Sequence, residues 1–403
     1  MSATLADLVA SREMLLVCGA GGVGKTTTAA AIATQAACTS ERRVLVVTVD
    51  PARRLATALG LEGVGDEPQA VARAVLAQAN GGDAPAGELS VAMLDTKRGW
   101  DALIARYAPD RRVRDTILSN PLYDSITARF VQSHDYLAME RLHELHASGR
   151  FDLVVVDTPP SRSALDILDA PERMADFFGS RLLRWLTVPY RSRLFTAASK
   201  PFYQVADRIL GSKFLQDIAE FFVLFQTMEA GFVRRAREVS ALLGDARTGF
   251  VVVTTLEPAP VREAEFLMAE LQRRRLPLGA LVLNKVLPAW LRDPAGAMAA
   301  DAIARDPSAA GGAVAAAAGA LDADRAAAVL LVAAASFRRL SLSAERETAE
   351  RSRLAARPAV TVSAPHVDGD VTDLAALAAL GRVLWGEQVT ERRARPRRSG
   401  TVR

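Results

Sequence analysis

The sequence predicts an α/β fold, a doubly wound and mostly parallel sheet with an inserted α-helical subdomain. Five short runs are apolar throughout instead of alternating, as expected of parallel strands that are buried on both faces. Helical patterns separate these runs in repeated β-α-β order. The runs are EMLLVCG (13–19), RVLVVTVD (43–50), DLVVVDTPP (152–160), GFVVVTT (249–255) and LGALVLNK (278–285). Sheets of this kind bind ligands beyond the carboxyl ends of their strands, so functional residues are expected there.

A glycine-rich stretch, VCGAGGVGKTTTAAAIA (17–33), joins the first predicted strand to an alanine-rich helix that begins at Lys25. Its Gly-x-x-x-x-Gly-Lys-Thr spacing is typical of a phosphate-binding loop. Glycines let backbone N–H groups turn inward onto phosphate oxygens, Lys25 neutralises the β- and γ-phosphates, and Thr26 is a Mg²⁺ ligand. The strand before it and the helix after it argue against a chance match in a flexible loop. The predicted ATP-binding residues here are Gly19, Ala20, Gly21, Gly22, Val23, Gly24, Lys25, Thr26 and Thr27.

Aspartates end the second and third predicted strands. Asp157 is expected to hold Mg²⁺ through a water molecule, and the alternative is a residue that only starts the turn at DTPP. Asp50 is expected to orient and deprotonate the water that attacks the γ-phosphate. Its alternative, which is compatible with that role, is an N-cap for a helix that begins at Pro51.

Asn284 ends the fifth predicted strand. Its side-chain amide can hydrogen-bond to the adenine edge, and a simple strand-end turn is the alternative. The glycine loop, Asp50, Asp157 and Asn284 thus all fall at the carboxyl ends of predicted strands. This coincidence of positions carries more weight than any one motif.

The chain is predicted to form a single nucleotide-binding domain over residues 1–390, followed by a basic tail over 391–403. Long helical patterns at about 100–148 and 165–240 make up the inserted subdomain. Residues 291–325 are rich in alanine and glycine, which predicts a loose surface excursion. The sequence has one phosphate-binding loop and no internal repeat.

The positive charge of the chain is concentrated in its tail. The formal net charge is +4, and the tail ERRARPRRSGTVR contains six arginines and one glutamate, so the remainder sums to about −1. We therefore expect no specific nucleic-acid partner. The tail has no periodicity and is predicted to be disordered and solvated, the alternative being a contact with anionic lipid, RNA or a partner protein.

Two cysteines, Cys18 and Cys38, indicate a reducing compartment and form no Cys-x-x-Cys pair, so neither a disulfide framework nor a structural zinc site is expected. The N-terminus lacks the basic and apolar regions of a signal peptide. The longest apolar run, Ala326–Phe337, is shorter than the roughly 20 residues that span a bilayer. A cytoplasmic protein is expected, with the tail as its candidate contact with a membrane surface.

Several segments together resemble the ArsA/Get-type ATPases of the deviant phosphate-loop class, especially their bacterial (actinobacterial) single-domain branch. They are the loop at Gly19–Thr27, VDPARRLATALG (49–60), VVVDTPPSRSALDILDAP (154–171) and LVLNK (281–285). The resemblance covers about residues 13–290, and SAPHVDGDVTDLAALAALG (363–381) is similar to the family's adenine-side loop and last helix.

The resemblance implies a Mg²⁺-dependent ATPase that acts as a homodimer, or as a heterodimer with a paralogous ATPase, with nucleotides facing each other across the interface. By the motif match, Asp50 is the catalytic aspartate of the first switch segment and Asp157 opens the second. Asn284 recognises adenine, with Pro365 beside it.

The sequence departs from the family at Ala20, where relatives commonly carry a second lysine that reaches the partner's phosphates. Slow hydrolysis, or a substitute cation, is therefore expected. Arg53, Arg54 and Arg162 are the candidates, with surface or salt-bridge arginines as the alternative. The zinc-binding cysteine pair and the arsenite-binding cysteine cluster of other branches are also absent from the sequence.

The leading hypothesis for the purpose of the ATP is control over a hydrophobic or membrane-protein client, bound by the helical subdomain. The simpler alternative is that its apolar stripes are core. These stripes comprise Phe177, Phe178, Leu182, Leu183, Trp185 and Leu186, and then Phe221, Phe222, Leu224 and Phe225. Three other functions stay open: a slow regulatory switch paired with a paralogue, the ATPase subunit of an anion or arsenite transporter, and a small-molecule kinase.

Overall fold

The computed structural model describes most of the chain. The described residues are 4–49, 55, 59, 64–94, 96–121, 123, 133–159, 168–169, 173, 176, 212–319, 321–354, 358–367, 369, 371 and 373–386. Several sequence-predicted positions lie outside them, namely Asp50, Arg53, Arg54, Arg162, the apolar stripe at 177–186 and the basic tail.

The described strands form one eight-stranded sheet in the order β3-β4-β2-β5-β1-β6-β7-β8. Their bounds are β1 Met14–Gly19, β2 Arg43–Thr48, β3 Gln69–Ala70, β4 Glu88–Met93, β5 Leu153–Asp157, β6 Thr248–Thr254, β7 Leu278–Val286 and β8 Val360–Pro365. The strands pair in parallel, apart from the antiparallel pair of β3 with β4. The predicted mostly parallel sheet and its five apolar strands are confirmed. The outer strands β3, β4 and β8 were not predicted, because their partly exposed sequences lack a continuous apolar run.

Helices cover both faces of the sheet, as in a doubly wound fold. In chain order they are α1 Leu5–Ala10, α2 Lys25–Thr39, α3 Arg73–Ala79, α4 Thr96–Tyr107, α5 Arg111–Leu118, α6 Ser133–Ala147, α7 Ser212–Gln226, α8 Glu229–Gly244, α9 Pro258–Arg273, α10 Pro294–Arg305, α11 Pro307–Ala318, α12 Ala323–Arg353 and α13 Leu374–Leu384. Successive side chains of a strand point to opposite faces. In β1, Leu15 and Val17 join the core beneath α2 and α13, whereas Leu16 and Cys18 join the core beneath α6, α8 and α9.

The inserted helical subdomain has its own aromatic core. Trp100 on α4, Tyr136 on α6 and Phe232 on α8 are buried there, with ring centroids 6.4 Å apart for Trp100 and Phe232 and 5.8 Å apart for Tyr136 and Phe232. Phe221 and Phe225 on α7 stack at 5.4 Å within the same core. For α7, the core interpretation of the apolar stripe is therefore confirmed: Phe221 and Phe225 are buried, and Phe222 and Leu224 pack against them partly buried.

The expectation of a loose excursion at 291–325 is wrong for the described residues, since this region is helical. A 3₁₀ turn at Ala289–Arg292 leads into α10 and α11, which pack with α12. Glycines permit the close approach: a Cβ on Gly311 would lie 2.4 Å from the Ala323 carbonyl oxygen. The sequence does carry start signals, because Asp293 and Asp306 each cap a helix whose first residue is proline.

The apolar run at Ala326–Phe337 lies inside α12, a helix of 31 residues. One 18-residue window of α12 has a mean hydropathy of 1.4, and 17% of that window is buried. By length and composition α12 could cross a membrane, which the 12-residue run alone does not suggest. The cytoplasmic location stays a prediction.

Candidate nucleotide site

The glycine loop connects β1 to α2 at the carboxyl edge of the sheet. Gly22 and Gly24 have φ angles of 79° and 92°, in the left-handed region that favours glycine, and Gly24 is the N-cap of α2. Lys25 is the first residue of α2 and is buried, and its Nζ donates to the Ala20 carbonyl oxygen at 2.8 Å. The loop therefore curls around its own lysine, as a phosphate-binding loop requires.

Two glycines of the loop are needed for packing against neighbouring strands. A Cβ on Gly19 would lie 2.2 Å from the Val253 carbonyl oxygen of β6, and a Cβ on Gly24 would lie 2.2 Å from Asn284 Nδ2. In contrast, a Cβ on Gly21 or Gly22 would meet nothing within 4 Å. The outer rim of the loop is thus open, where backbone N–H groups can approach a phosphate.

Asp157 lies beside the start of α2, as the sequence predicts for a metal-binding carboxylate. Its Oδ2 accepts hydrogen bonds from Thr26 Oγ1 at 2.7 Å and from Thr48 Oγ1 at 3.0 Å. The Asp157 side chain is buried, and Thr158 Oγ1 donates to the Val17 carbonyl oxygen at 2.9 Å, which holds the end of β5 against β1. Hydroxyl and carboxylate oxygens are the donors that Mg²⁺ prefers, so Thr26 and Asp157 fit the predicted metal site.

Asn284 faces the glycine loop from the end of β7. Its Nδ2 donates to the Val23 carbonyl oxygen at 2.8 Å, and its Oδ1 accepts from the backbone N–H of Lys285 at 2.9 Å. The side chain is buried and ties β7 to the loop. Recognition of adenine by Asn284 stays a prediction, whereas this loop-holding role is visible in the structure.

Pro365 ends β8 and pairs with Val286 in the register of β7 and β8. The backbone N–H of the next residue, His366, donates to the Val286 carbonyl oxygen at 2.8 Å. Pro365 therefore lies along the same sheet edge, on the Asn284 side of the glycine loop. The structure thus brings together the loop, Asp157, Asn284 and Pro365, and Asp50 lies outside the described residues.

Sequence reasoning missed two residues at this edge. Thr48 holds the Asp157 carboxylate, and Lys285 Nζ donates to the Gly22 carbonyl oxygen at 3.4 Å. The available signals were small: Thr48 lies two residues before the predicted catalytic Asp50, and Lys285 follows directly on Asn284. Lys285 ends the family segment LVLNK, but the segment does not show what its lysine contacts, and the packed strands reveal both contacts.

A family model described as anion-transporting ATPase (ArsA_ATPase) matches residues 12–301. This chain belongs to the anion-transporting ATPase family. The match spans β1, the loop, Asp157 and Asn284, so the ArsA/Get-type resemblance is confirmed. The chain is therefore a nucleotide-binding protein whose enzyme class is ATPase.

Three proteins are similar to this ATPase in sequence at modest identity. ATPase GET3C of Arabidopsis thaliana is 26% identical over 305 residues, which cover 70% of this chain and 68% of the relative. An uncharacterized protein of Streptomyces coelicolor is 28% identical over 287 residues, with 70% and 65% covered. ATPase ARSA1 of Chlamydomonas reinhardtii is 26% identical over 313 residues, and its matched part is only 35% of its length.

The geometry indicates which role each group at the site of this ATPase would have. Lys25 and the loop N–H groups are the groups predicted to bind and orient the phosphates, and the start of α2 lies at the same loop, where its positive end would favour them. Thr26 and Asp157 would hold Mg²⁺, whose charge offsets the negative charge on the transferred phosphoryl group. Thr48 keeps the Asp157 carboxylate turned toward Thr26.

Proposed function

We propose that this ATPase is Mg²⁺-dependent, works as a dimer, and uses its nucleotide state to control the binding of a hydrophobic or membrane-protein client by the helical subdomain. One loop per chain supports the dimer, because nucleotides that face each other require a second chain, either a copy or a paralogue.

The connection of the helical subdomain to the metal-binding carboxylate carries the proposal. Helix α6 of that subdomain runs through a short connection, residues 148–152, into β5, which ends at Asp157. A change at Asp157 when the γ-phosphate leaves would therefore act on the strand that follows α6. Switches of this kind convert a local change in charge into the movement of a packed element.

A buried polar cluster makes α6 move together with its neighbours. Glu140 on α6 is buried and accepts hydrogen bonds from Tyr107 Oη at 2.7 Å, Arg235 Nε at 3.1 Å and Arg106 at 3.3 Å. We call these four residues the Glu140 cluster. Burial raises the pKa of the Tyr107 hydroxyl, which therefore remains a donor at neutral pH. The cluster links α4, α6 and α8, so a shift of α6 is expected to move all three helices.

A groove beside α8 is the surface of the helical subdomain that we assign to a client segment. It has a volume of about 720 Å³ and runs from the end of α7 along one side of α8. Its lining combines small apolar side chains with charged side chains of both signs, namely Ala230, Val233, Ala241, Arg234, Arg237, Glu229 and Glu238. Apolar side chains flanked by charges of both signs suit a short apolar segment with polar or charged ends. The buried Phe221 and Phe225 do not line it.

The test is nucleotide-dependent crosslinking of an apolar peptide. A photoreactive residue at position 233 reports on the groove, and one at position 266 is the matched control, because Phe266 is 54% exposed on α9, away from the groove lining. We expect labelling at 233 to change between ATP and ADP and labelling at 266 to stay constant. Labelling that is equal at both positions, or indifferent to nucleotide, would contradict the client proposal.

The second candidate function is a slow regulatory switch that pairs with a paralogous ATPase, and Ala20 favours it. Ala20 is buried beneath the loop and carries no charge, so the contact that relatives make with the partner's phosphates is missing. A steady-state rate above about 1 s⁻¹, ordinary for enzymes, in the isolated chain would remove this candidate. Activation only upon mixing with a second ATPase chain would favour it over the client.

The cysteines weigh against a metalloid-driven transporter subunit. Cys18 and Cys38 are both buried, and burial raises the pKa of the Cys18 thiol to about 11. Burial also raises the pKa of the Cys38 thiol. Metalloids bind thiolates, so neither cysteine is suited to that role. We expect arsenite or antimonite to leave the rate of ATP hydrolysis unchanged.

A further inference from the structure

Lys285 has a backbone conformation that lysine rarely adopts. Its φ is 55°, in the left-handed region, and it is one of two non-glycine residues with a positive φ in the described part of the chain. For an L-residue this conformation costs about 1 kcal/mol or more. Such a cost persists where the surrounding structure requires it, and it often marks a functional site.

The other such residue, Arg275, lies at the end of a helix, whereas Lys285 lies in a bulge at the nucleotide edge of the sheet. Arg275, with φ 58°, follows the end of α9, where the Leu276 N–H donates to the Leu271 carbonyl oxygen at 2.9 Å. This is the left-handed cap with which many helices end. Lys285 follows no helix, because it belongs to β7. The two residues flank the same strand at its opposite ends, and only Lys285 is at the nucleotide edge.

A bulge turns Lys285 toward the glycine loop. The pairing of β7 with β8 runs regularly to Leu283 opposite Ser363 and resumes at Val286 opposite Pro365. Asn284 and Lys285 occupy the interruption, and the Asn284 carboxamide accepts the Lys285 N–H. Bulges beside active sites commonly re-aim a side chain. Here the result is that Asn284 reaches the Val23 carbonyl and Lys285 reaches the Gly22 carbonyl, on consecutive residues of the loop.

Two ammonium groups therefore hold the same loop. Lys25 Nζ binds the Ala20 carbonyl from within at 2.8 Å, and Lys285 Nζ binds the Gly22 carbonyl from the exposed side at 3.4 Å. Position 20 itself contributes no charge. The open rim at Gly21 and Gly22, where a Cβ would meet nothing within 4 Å, lies at the contact made by Lys285.

We propose that Lys285 is a positioning residue for the nucleotide: it holds the outer rim of the phosphate loop and adds, from β7, a second ammonium charge to the loop of its own chain. The inference rests on the ATPase activity of the family and on nothing about a client. A cation beside the loop stabilises a ligand in proportion to the phosphate charge, so its contribution should increase from AMP to ADP to ATP.

The experiment compares Lys285→Met, which keeps the aliphatic stem, with Lys285→Arg, which keeps the charge. Arg275→Met is the matched control, because it removes an exposed cation with the same φ at the other end of β7. Dissociation constants for ATP, ADP and AMP are measured by titration calorimetry on the full chain. Lys25→Met is the reference for a loop that has lost its own phosphate lysine.

We expect Lys285→Met to weaken ATP binding about tenfold, the usual effect of losing a charged hydrogen bond, and AMP binding by about twofold or less. Lys285→Arg and Arg275→Met should stay close to the wild type. Equal losses for ATP and AMP, or no loss for ATP, would overturn the proposal. If the wild-type chain and Lys25→Met bound ATP equally, the assignment of the ATP site itself would fail, and that outcome is distinguishable from a failure of Lys285 alone.

Lys285→Gly separates function from folding. Glycine tolerates the positive φ, so this variant should keep or raise the midpoint of thermal unfolding while it weakens ATP binding as Lys285→Met does. A fall in the unfolding midpoint with unchanged ATP affinity would make Lys285 a structural residue and overturn the inference.

Discussion

The nucleotide edge of the sheet and the helical subdomain use polar groups in opposite ways. At the edge, Lys25, Asn284 and Lys285 each bind a backbone carbonyl of one short loop. In the helical subdomain, the single buried carboxylate of Glu140 collects donors from Tyr107 and two arginines on other helices. The side chains at the nucleotide edge can exchange a backbone carbonyl for a phosphate oxygen, whereas the Glu140 cluster is a fixed connection between helices.

The difference indicates how the two regions respond to substitution. At the edge, the outer rim of the loop at Gly21 and Gly22 is open and Lys285 is exposed, so water or nucleotide can replace a contact that is lost there. Loss of Glu140 removes the buried acceptor that Tyr107, Arg106 and Arg235 share, and leaves the arginines with their outer acidic partners Glu144 and Glu238. Stability should therefore depend on the helical subdomain and nucleotide chemistry on the edge, and four variants test that division.

The largest expected effect is the destabilisation caused by Glu140→Ala. Removing the buried carboxylate takes a shared acceptor from Tyr107 and from two arginines that keep other acidic partners, so the free energy of unfolding should fall by about 3 kcal/mol. Urea unfolding measures the loss. Glu144→Ala is the control, because Glu144 pairs with Arg106 at a half-exposed site and should cost less than about 1 kcal/mol. If the folded Glu140→Ala chain lost ATP affinity as strongly as stability, the two regions would not be separable.

Asp157→Asn should abolish most of the ATPase activity. An amide replaces the charge expected to hold Mg²⁺ beside Thr26, so the rate should fall about 100-fold, typical for the loss of one electrostatic catalytic group. Phosphate release at saturating Mg²⁺ measures it. Asp152→Asn is the control, because Asp152 lies just before β5, at the other end of the strand that Asp157 closes. An active Asp157→Asn enzyme would remove the metal assignment.

Gly24→Ala should weaken ATP binding without changing the helical subdomain. A methyl group at φ 92° is strained, and it would lie 2.2 Å from Asn284 Nδ2, so the contact between β7 and the loop must open. The combined cost of about 1–3 kcal/mol corresponds to roughly a 10- to 100-fold weaker affinity for ATP. Gly244→Ala is the control, because a Cβ there meets nothing within 4 Å. Normal ATP binding by Gly24→Ala would show that the contact between Asn284 and the glycine loop is not needed for ATP binding.

The smallest expected effect is the loss of stability caused by Asp152→Asn, at the edge of the sheet where the parallel strands begin. Hydrogen bonds from Arg43 lower the pKa of Asp152 to about 2 from 3.8, so the carboxylate stabilises the folded state above about pH 4 and loses that contribution as the pH falls toward 2. Because the pair is more than a third exposed, Asp152→Asn should cost less than about 1 kcal/mol at pH 7 and almost nothing at pH 2. Urea unfolding curves at pH 7 and pH 2 test this prediction. A cost of Asp152→Asn that is larger at pH 2 than at pH 7 would contradict it.

The sequence alone determined the five apolar strands β1, β2, β5, β6 and β7, the glycine loop and the positions of Thr26 and Asp157. These features depend on residues close together in the chain: a continuous apolar run is buried on both faces, and Gly-x-x-x-x-Gly-Lys-Thr places its own lysine and hydroxyl at a helix start. Local signals were also present at Asp293-Pro294 and Asp306-Pro307, which are typical helix starts. The alanine- and glycine-rich composition that follows led us to predict a loose segment where α10 and α11 lie.

Only the tertiary structure decided the partners that lie far apart in sequence. Asn284 meets Val23 across 261 residues, Lys285 meets Gly22 across 263, and Glu140 gathers donors from helices on both sides of it in the chain. No local pattern encodes such pairs, because parallel strands bring distant carboxyl ends to one edge only after every crossover helix has packed. A lysine near the end of a strand is ordinary in sequence. Lys285 becomes part of the candidate site only because a bulge in β7 brings it to the glycine loop.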